Sequence, residues 1–196
     1  RAAALFARTP GLHAEHVRAL VEATGSIERA AEEAARGVPG IELKEATRAF
    51  LASPDDAAID ADLRWLDASG AQLIPCTALA YPALLGEISR APPALYVLGE
   101  VAALSSPQLA MVGSRSATAS GRNTAQMFAA FFARNGLTVT SGLALGIDGA
   151  SHEGALSEAN GLTVAVCGCG LDRVYPRQHK PLARRIREQG ALVSEF

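Results

Sequence analysis

An alternation that begins at Gln108 constrains this chain more than any other feature. From there to the last residue, short apolar runs alternate with amphipathic stretches of helical length. The order is Leu109 to Val112, a helix over Ser120 to Asn135, Leu137 to Thr140, a helix over Ile147 to Asn160, Thr163 to Val166, a helix over His179 to Gln189, and Ala191 to Ser194. A βαβαβαβ order requires crossover connections, and these build a parallel, doubly wound sheet. Such sheets bind ligands beyond the carboxyl ends of their strands, where loops run into helix N-termini. The loops after Val112, Thr140 and Val166 are therefore the segments to read for chemistry.

The preceding residues are organised differently. Apolar residues at helical spacing predict a helix over Leu12 to Ala23, and Gly25-Ser26 supplies a break and an N-cap for Ile27 to Ala35. Gly37-Val38-Pro39-Gly40 forces a turn, and a third helix runs over Leu43 to Ala52. Ser53-Pro54-Asp55-Asp56 reads as an N-cap, a proline and two acids opening a fourth helix through Ile59, Leu63 and Leu66 to Ser69-Gly70. Two short strand-like runs, Ala71 to Ile74 and Ala94 to Leu98, flank a proline-punctuated stretch. Three parts are expected: a small all-helical domain over residues 1–60, a Rossmann-like α/β half over 106–196, and a connecting segment over 61–105 packed on that half.

Composition agrees with that class. Of the 196 residues 49% are hydrophobic and only 5% aromatic, which suits α/β packing better than a β-sandwich. The net charge of −2 conceals an uneven distribution. Residues 1–105 carry nine Lys/Arg against 14 Asp/Glu, whereas residues 106–196 carry nine against six. The second half is the basic one, and the local field governs nucleic-acid binding more than the total. Three cysteines, Cys76, Cys167 and Cys169, lack the spacing of a structural zinc site and read as reduced thiols of a cytoplasmic protein. No run of apolar residues is long enough to cross a bilayer, so no membrane partner is expected. The first residue is Arg, which leaves room for an upstream segment.

Three loops carry the functional signal. Gly113-Ser114-Arg115-Ser116, running on to Arg122, combines close backbone approach, N–H groups at a helix start and side-chain donors. It reads as a phosphate-binding turn, with an ordinary capped β-to-α turn as the alternative. In the second loop, Ser141-Gly142 leads to Gly146 and Asp148. Asp148 and His152 share a helical face, but without a third ligand a capping aspartate beside a histidine is preferred to a metal pair. The third loop, Cys167 to Lys180, mixes Gly168 and Gly170 with Arg173, Arg177, Lys180 and the ring of Tyr175, which suits a phosphate backbone and stacked bases. Gly168-x-Gly170 is a poor dinucleotide fingerprint, because Arg173 stands where a third glycine belongs. Arg184, Arg185 and Arg187 read as a solvated basic face on their own, or, beside the three loops, as an extension of the cationic track. Neither a nucleophile elbow nor a P-loop is present, so the expectation is a binding protein with no catalytic residues, metal or cofactor.

Four motifs in order, M-V-G-S-R (Met111 to Arg115), S-G-L-A-L-G-I-D-x-x-x-H (Ser141 to His152), C-G-C-G-L-D-R-V-Y-P (Cys167 to Pro176) and L-V-S-E-F (Leu192 to Phe196), resemble those of the DNA-processing protein A family, DprA or Smf. The likeness is strong from Pro92 to Phe196. The helical start, with Gly25-Ser26-Ile27, more weakly resembles that family's SAM-like or helix-hairpin-helix domain. The resemblance implies a protein of natural transformation and competence that binds incoming single-stranded DNA, protects it and loads the RecA recombinase as a homodimer in DNA recombination. It also implies the site residues: Gly113, Ser114 and Arg115 as one wall of a nucleotide pocket, Ser141, Gly142, Gly146 and Asp148 as the second, and Gly170, Leu171, Asp172, Tyr175, Pro176 and Arg177 as the third. Ser116, Arg122, Gly168 and Lys180 complete the DNA-binding set. Family members continue past the S-E-F strand, so the Rossmann-like half is expected to be incomplete here. The competing reading is a nucleotide-processing enzyme similar to the Rossmann-like phosphoribohydrolases, whose P-G-G-x-G-T-x-x-E motif is missing from this sequence.

Overall fold

A computed structural model describes all 196 residues, Arg1–Phe196. The chain divides into two compact units, one of Arg1–Tyr96 with Glu195–Phe196 and one of Val97–Ser194.

The first unit is built on five helices: α1 (Ala2–Arg8), α2 (Ala14–Thr24), α3 (Ile27–Glu33), α4 (Glu45–Ala52) and α5 (Asp56–Ser69). Strand β1 (Gln72–Pro75) and the start of β2 (Ala94–Gly99) come after them. The helical start agrees with its apolar spacing, and Ser26 caps α3 by accepting the Arg29 N–H at 3.2 Å. Two details differ. At seven residues α1 is too short to reveal a period in sequence, and it is held by burying Ala4 and Phe6. The cap of α5 is Asp55, whose carboxylate accepts the Ala58 N–H at 3.0 Å, whereas Ser53 closes α4. Pro54 favours an extended Ser53, which ends one helix before the next begins. Phe6, Val17, Leu20 and Ile59 fill the core. Asp62 ties three elements together, because Arg8 grips it through Nε (2.5 Å) and Nη2 (2.7 Å) while the Tyr96 hydroxyl donates to it at 2.8 Å.

The second unit realises the predicted alternation. It comprises β3 (Gln108–Ala110), α6 (Ala119–Arg134), β4 (Thr138–Ser141), α7 (Ile147–Ala155), β5 (Thr163–Val166), α8 (Lys180–Gln189) and β6 (Gly190–Ser194). The strands lie side by side in the order β6-β5-β4-β3 and run parallel, with Leu109 beside Val139, Ser141 beside Ala165 and Val166 beside Val193. This register brings the carboxyl ends of β4, β5 and β6 level, so their loops emerge on one edge. Strand β3 stops at Ala110, leaving Val112 exposed in the loop. Helix α7 ends at Ala155 rather than near Asn160. There the chain turns back so tightly that a Cβ at Gly161 would stand 2.0 Å from the Ala155 carbonyl oxygen.

Small residues set the spacing of α6 and α7. Ala125, Ala129 and Ala133 form the buried stripe of α6, and Ala129 and Ala133 pack with Val139 and Ala155. Gly154 of α7 meets that stripe, and a Cβ on it would lie 2.2 Å from the Gln126 carbonyl oxygen and 2.9 Å from Ala129 Cβ. Glycine to alanine within a helix ordinarily stabilises by up to about 1 kcal/mol. Here the sign reverses: Gly154→Ala is expected to lower unfolding free energy by about 1–3 kcal/mol, the cost of overpacking, as read by urea denaturation.

Candidate nucleic-acid interface

The loop after β3 is shaped by its own hydroxyls. Ser114 Oγ accepts the Ser116 N–H at 3.1 Å, and Thr118 caps α6 by accepting the Gly121 N–H at 3.0 Å. Arg122 is folded back on this loop, donating to the Ala117 carbonyl at 2.6 Å. Arg115 is exposed and has no hydrogen-bond or ion-pair partner within the protein.

The loop after β4 is clamped onto the first. Ile147 N–H donates to the Ser114 carbonyl at 3.1 Å. Gly146, at φ 84°, passes so close that a Cβ would sit 2.1 Å from that same oxygen, and a Cβ at Gly113 would lie 2.7 Å from Ile147. Leu143 adopts φ 60°, a strained conformation for a branched side chain, while its side chain is buried and its carbonyl accepts from His179 Nδ1 at 2.8 Å. Donation from Nδ1 leaves the other ring nitrogen of His179 for the recess that it lines.

The third loop comes after β5. Cys169 is pinned by the Ser194 hydroxyl, which donates to its carbonyl at 2.9 Å, and Cys167 N–H donates to the Val193 carbonyl at 2.8 Å. Burial, with Cys169 adding to it, pushes the Cys167 thiol up to about 11, so it stays protonated at neutral pH. All three cysteines are unpaired. Tyr175 is 73% exposed and Pro176 behind it is buried.

Together the loops border two recesses that share Arg115 and Leu145. The smaller, about 280 Å³, is completed by Gly142, Ala144, Gly168, Cys169, Tyr175 and Pro176. The larger, about 530 Å³, lies between α6 and α7 and is completed by Arg122, Asn123, Gln126, Gly146, Gly149, Ala150, Glu153 and His179.

The sequence-predicted residues thus separate into groups. Arg115, Arg122, Gly142, Gly146, Gly168, Tyr175 and Pro176 line a recess. Gly113, Ser114 and Ser116 sit exposed on the adjoining loop, and Arg177 and Lys180 stand without an acidic partner at the start of α8. Gly170, Leu171 and Asp172 belong to the third loop but line neither recess. Ser141 and Asp148 are buried and work internally: the Ser141 hydroxyl donates to the Met111 carbonyl at 2.6 Å, and the Asp148 carboxylate accepts the Ala144 N–H at 3.3 Å. They position the loops. The capping role read for Asp148 is therefore corrected, since it lies inside the first turn of α7 and reaches back to the loop, while Gly146 holds the cap position. The cationic track read along α8 is also shortened, because Arg185 pairs with Glu153 (2.5 Å) and Arg184 with Glu188 (3.1 Å). Asn123, Gln126, Glu153 and His179 were not anticipated. The helical spacing of Asn123 and Gln126 beside Arg122 was their only signal.

His152 is not a ligand. It is fully buried, and its Nδ1 bonds Thr163 Oγ1 at 2.7 Å, which in turn donates to the Val139 carbonyl at 2.6 Å. That relay joins α7 to β5 and β4. No cluster of three His, Cys, Asp or Glu side chains is placed to hold a metal ion, and no helix is long and apolar enough to cross a membrane.

The fold is that of a parallel α/β protein with loop-lined recesses at the carboxyl edge of its sheet, and comparison with known proteins is specific. The chain belongs to the DNA recombination-mediator protein A family, whose family model matches residues 72–196. It is 45% identical to protein Smf of Escherichia coli over 158 residues, 80% of this chain and 41% of that protein. A putative DNA processing protein DprA of Mycobacterium tuberculosis is 38% identical over 212 residues, covering all of this chain and 52% of its own length. The chain thus spans about half the length of these curated relatives. Among solved structures, DprA of Streptococcus pneumoniae aligns over 97% of this chain and 65% of its own, with a TM-score of 0.74 and 27% identity. DprA of Helicobacter pylori, described for its single-stranded DNA binding mode, aligns over 64% of this chain and 55% of its own, with a TM-score of 0.55 and 27% identity.

Burial, with the charge of His179 second to it, lowers the His152 imidazole to about 3. A depressed folded-state value means that the stability His152 contributes is complete above the unfolded value near 6.5 and is lost as pH falls towards 3. Between pH 7 and pH 5 the wild type is expected to lose about 2 kcal/mol through this group. Chemical denaturation of His152→Gln across the same interval should show a correspondingly flatter dependence, and an equal slope in both proteins would refute the assignment.

Proposed function

We propose that this chain binds single-stranded DNA at the carboxyl edge of its parallel sheet, with the phosphate backbone at Arg115 and a base in the smaller recess against Tyr175. The observation that carries this reading is the set of cations without acidic partners. Arg115, Arg173, Arg177 and Lys180 stand on the loops and helix start at that edge, beside an exposed aromatic ring, whereas Arg134, Arg184 and Arg185 of the same unit are ion-paired. Unpaired cations around a stacking face suit a strand whose bases are splayed from their backbone. The single-stranded DNA binding of the Helicobacter pylori relative supports the choice of ligand. As part of a whole protein of this family, the site would protect incoming strands in natural transformation and deliver them to the RecA recombinase, from a cytoplasmic homodimer. Gly113, Ser114, Ser116, Gly170, Leu171 and Asp172 then flank the path of the strand.

Binding without chemistry is the better reading of the smaller recess. It is lined by no carboxylate, and the one in the larger recess, Glu153, is held by Arg185. A phosphoribohydrolase needs a free acid beside the glycosidic bond.

Fluorescence anisotropy with labelled oligo(dT) tests the proposal. Arg115→Ala should weaken binding at least about tenfold, or 1.4 kcal/mol, and reduce the slope of log K against log salt by about 0.7 per lost phosphate contact. Tyr175→Ala should cost about 1–3 kcal/mol with the slope unchanged, because stacking releases no counterion. An Arg115→Ala variant with wild-type affinity and slope would overturn the site.

A further inference from the structure

The larger recess is not needed to hold the nucleotide placed at Tyr175, yet polar side chains line it. Helices α6 and α7 pack closely at Gly154 and again near Gly121 and Ile147, and the recess lies along the surface between them. Its two walls are unlike. That of α7 presents Gly146, Gly149 and Ala150, so over these positions no side chain longer than a methyl projects from it. That of α6 presents Asn123 and Gln126, one turn apart, whose carboxamides have no hydrogen-bond partner within the protein. A wall of small residues, with the His179 ring against Gly149, faces two exposed carboxamides, and together they offer a surface and a rim of donors and acceptors to a flat, polar-edged ring.

We propose that this recess is a second nucleotide subsite, adjacent to the one at Tyr175, in which Asn123 and Gln126 read the edge of a base that carries an exocyclic amino group. The proposal rests on the single-stranded DNA reading above. Arg115 and Leu145 border both recesses, so a strand with its phosphate at Arg115 places neighbouring nucleotides on either side. Glu153 decides the choice of an amino-bearing base. Arg185 holds that carboxylate at 2.5 Å while both groups remain partly exposed, so it keeps oxygen lone pairs for an N–H donor. Cytosine offers an amino group where thymine offers a carbonyl oxygen, which a carboxylate repels.

Oligo(dC) and oligo(dT) of equal length differ in that edge while both remain pyrimidines, and they serve as probes in anisotropy titrations at neutral pH. The wild type should prefer oligo(dC) by at least about fivefold, the lower end of discrimination by one bidentate contact. The Glu153→Gln variant, which removes the charge that favours an amino group, should bring the ratio of affinities close to one, and Asn123→Ala/Gln126→Ala should weaken the binding of both polymers. Asn123 and Gln126 are exposed and Glu153 partly so, and circular dichroism of each variant verifies its fold. A wild-type ratio near one, a preference that survives the Glu153 substitution, or a double substitution that leaves both affinities unchanged overturns the subsite while leaving single-stranded DNA binding in place. If the wild type binds neither polymer, the functional reading falls and the subsite falls with it.

Discussion

One backbone carbonyl, that of Ser114, holds the candidate site together. It accepts the first N–H of α7, and Gly146 approaches it more closely than any residue with a side chain could. The loops after β3 and β4 are consequently a single body, and Arg115, the next residue along, stands at the border of both recesses. His179 extends the same body to α8 through the Leu143 carbonyl, which fixes a leucine in a left-handed conformation. Because these contacts form on folding, little ordering of the loops is left to oppose association with a ligand.

Charge is partitioned to the same end. The excess of cations in residues 106–196 does not spread over the surface of the second unit. Arg134, Arg184 and Arg185 are matched with Glu158, Glu188 and Glu153 on or beside the helices, and exposed pairs of this kind contribute about 0–1 kcal/mol to stability. Their larger effect is to leave the uncompensated positive charge at the carboxyl ends of the strands. A chain of net charge −2 can thereby present a local positive field.

How much of this was legible in the sequence depends on the range of the contact involved. The parallel strands and their helices were visible because the apolar period changes sharply at each of them, and Ser26 announced α3 because capping is a three-residue interaction. Helix α1 was silent, since seven residues cannot display a period, and the early end of α7 depends on Gly161 meeting Ala155. The Gly- and Arg-rich loops marked the edge of the sheet at which the two recesses lie. Which of their residues face a recess was not readable: Ser141 and Asp148 look like ligand-binding groups in a motif and are spent on Met111 and Ala144. The recess beside Asn123 and Gln126 was invisible for the same reason, as it exists only where Gly154 sets the crossing of two helices.

Two of the positions that border the larger recess on the α7 side present only main chain. Gly146 and Gly149 have no room to acquire a side chain, the first because of Ser114 and the second because His179 Cε1 would lie 2.7 Å from its Cβ. Selection can therefore adjust that side of the recess at Glu153 but not at the glycines. Drift in ligand preference among proteins sharing this scaffold would be written at Glu153 and in the two turns after Thr118, while the glycines opposite those turns stay fixed.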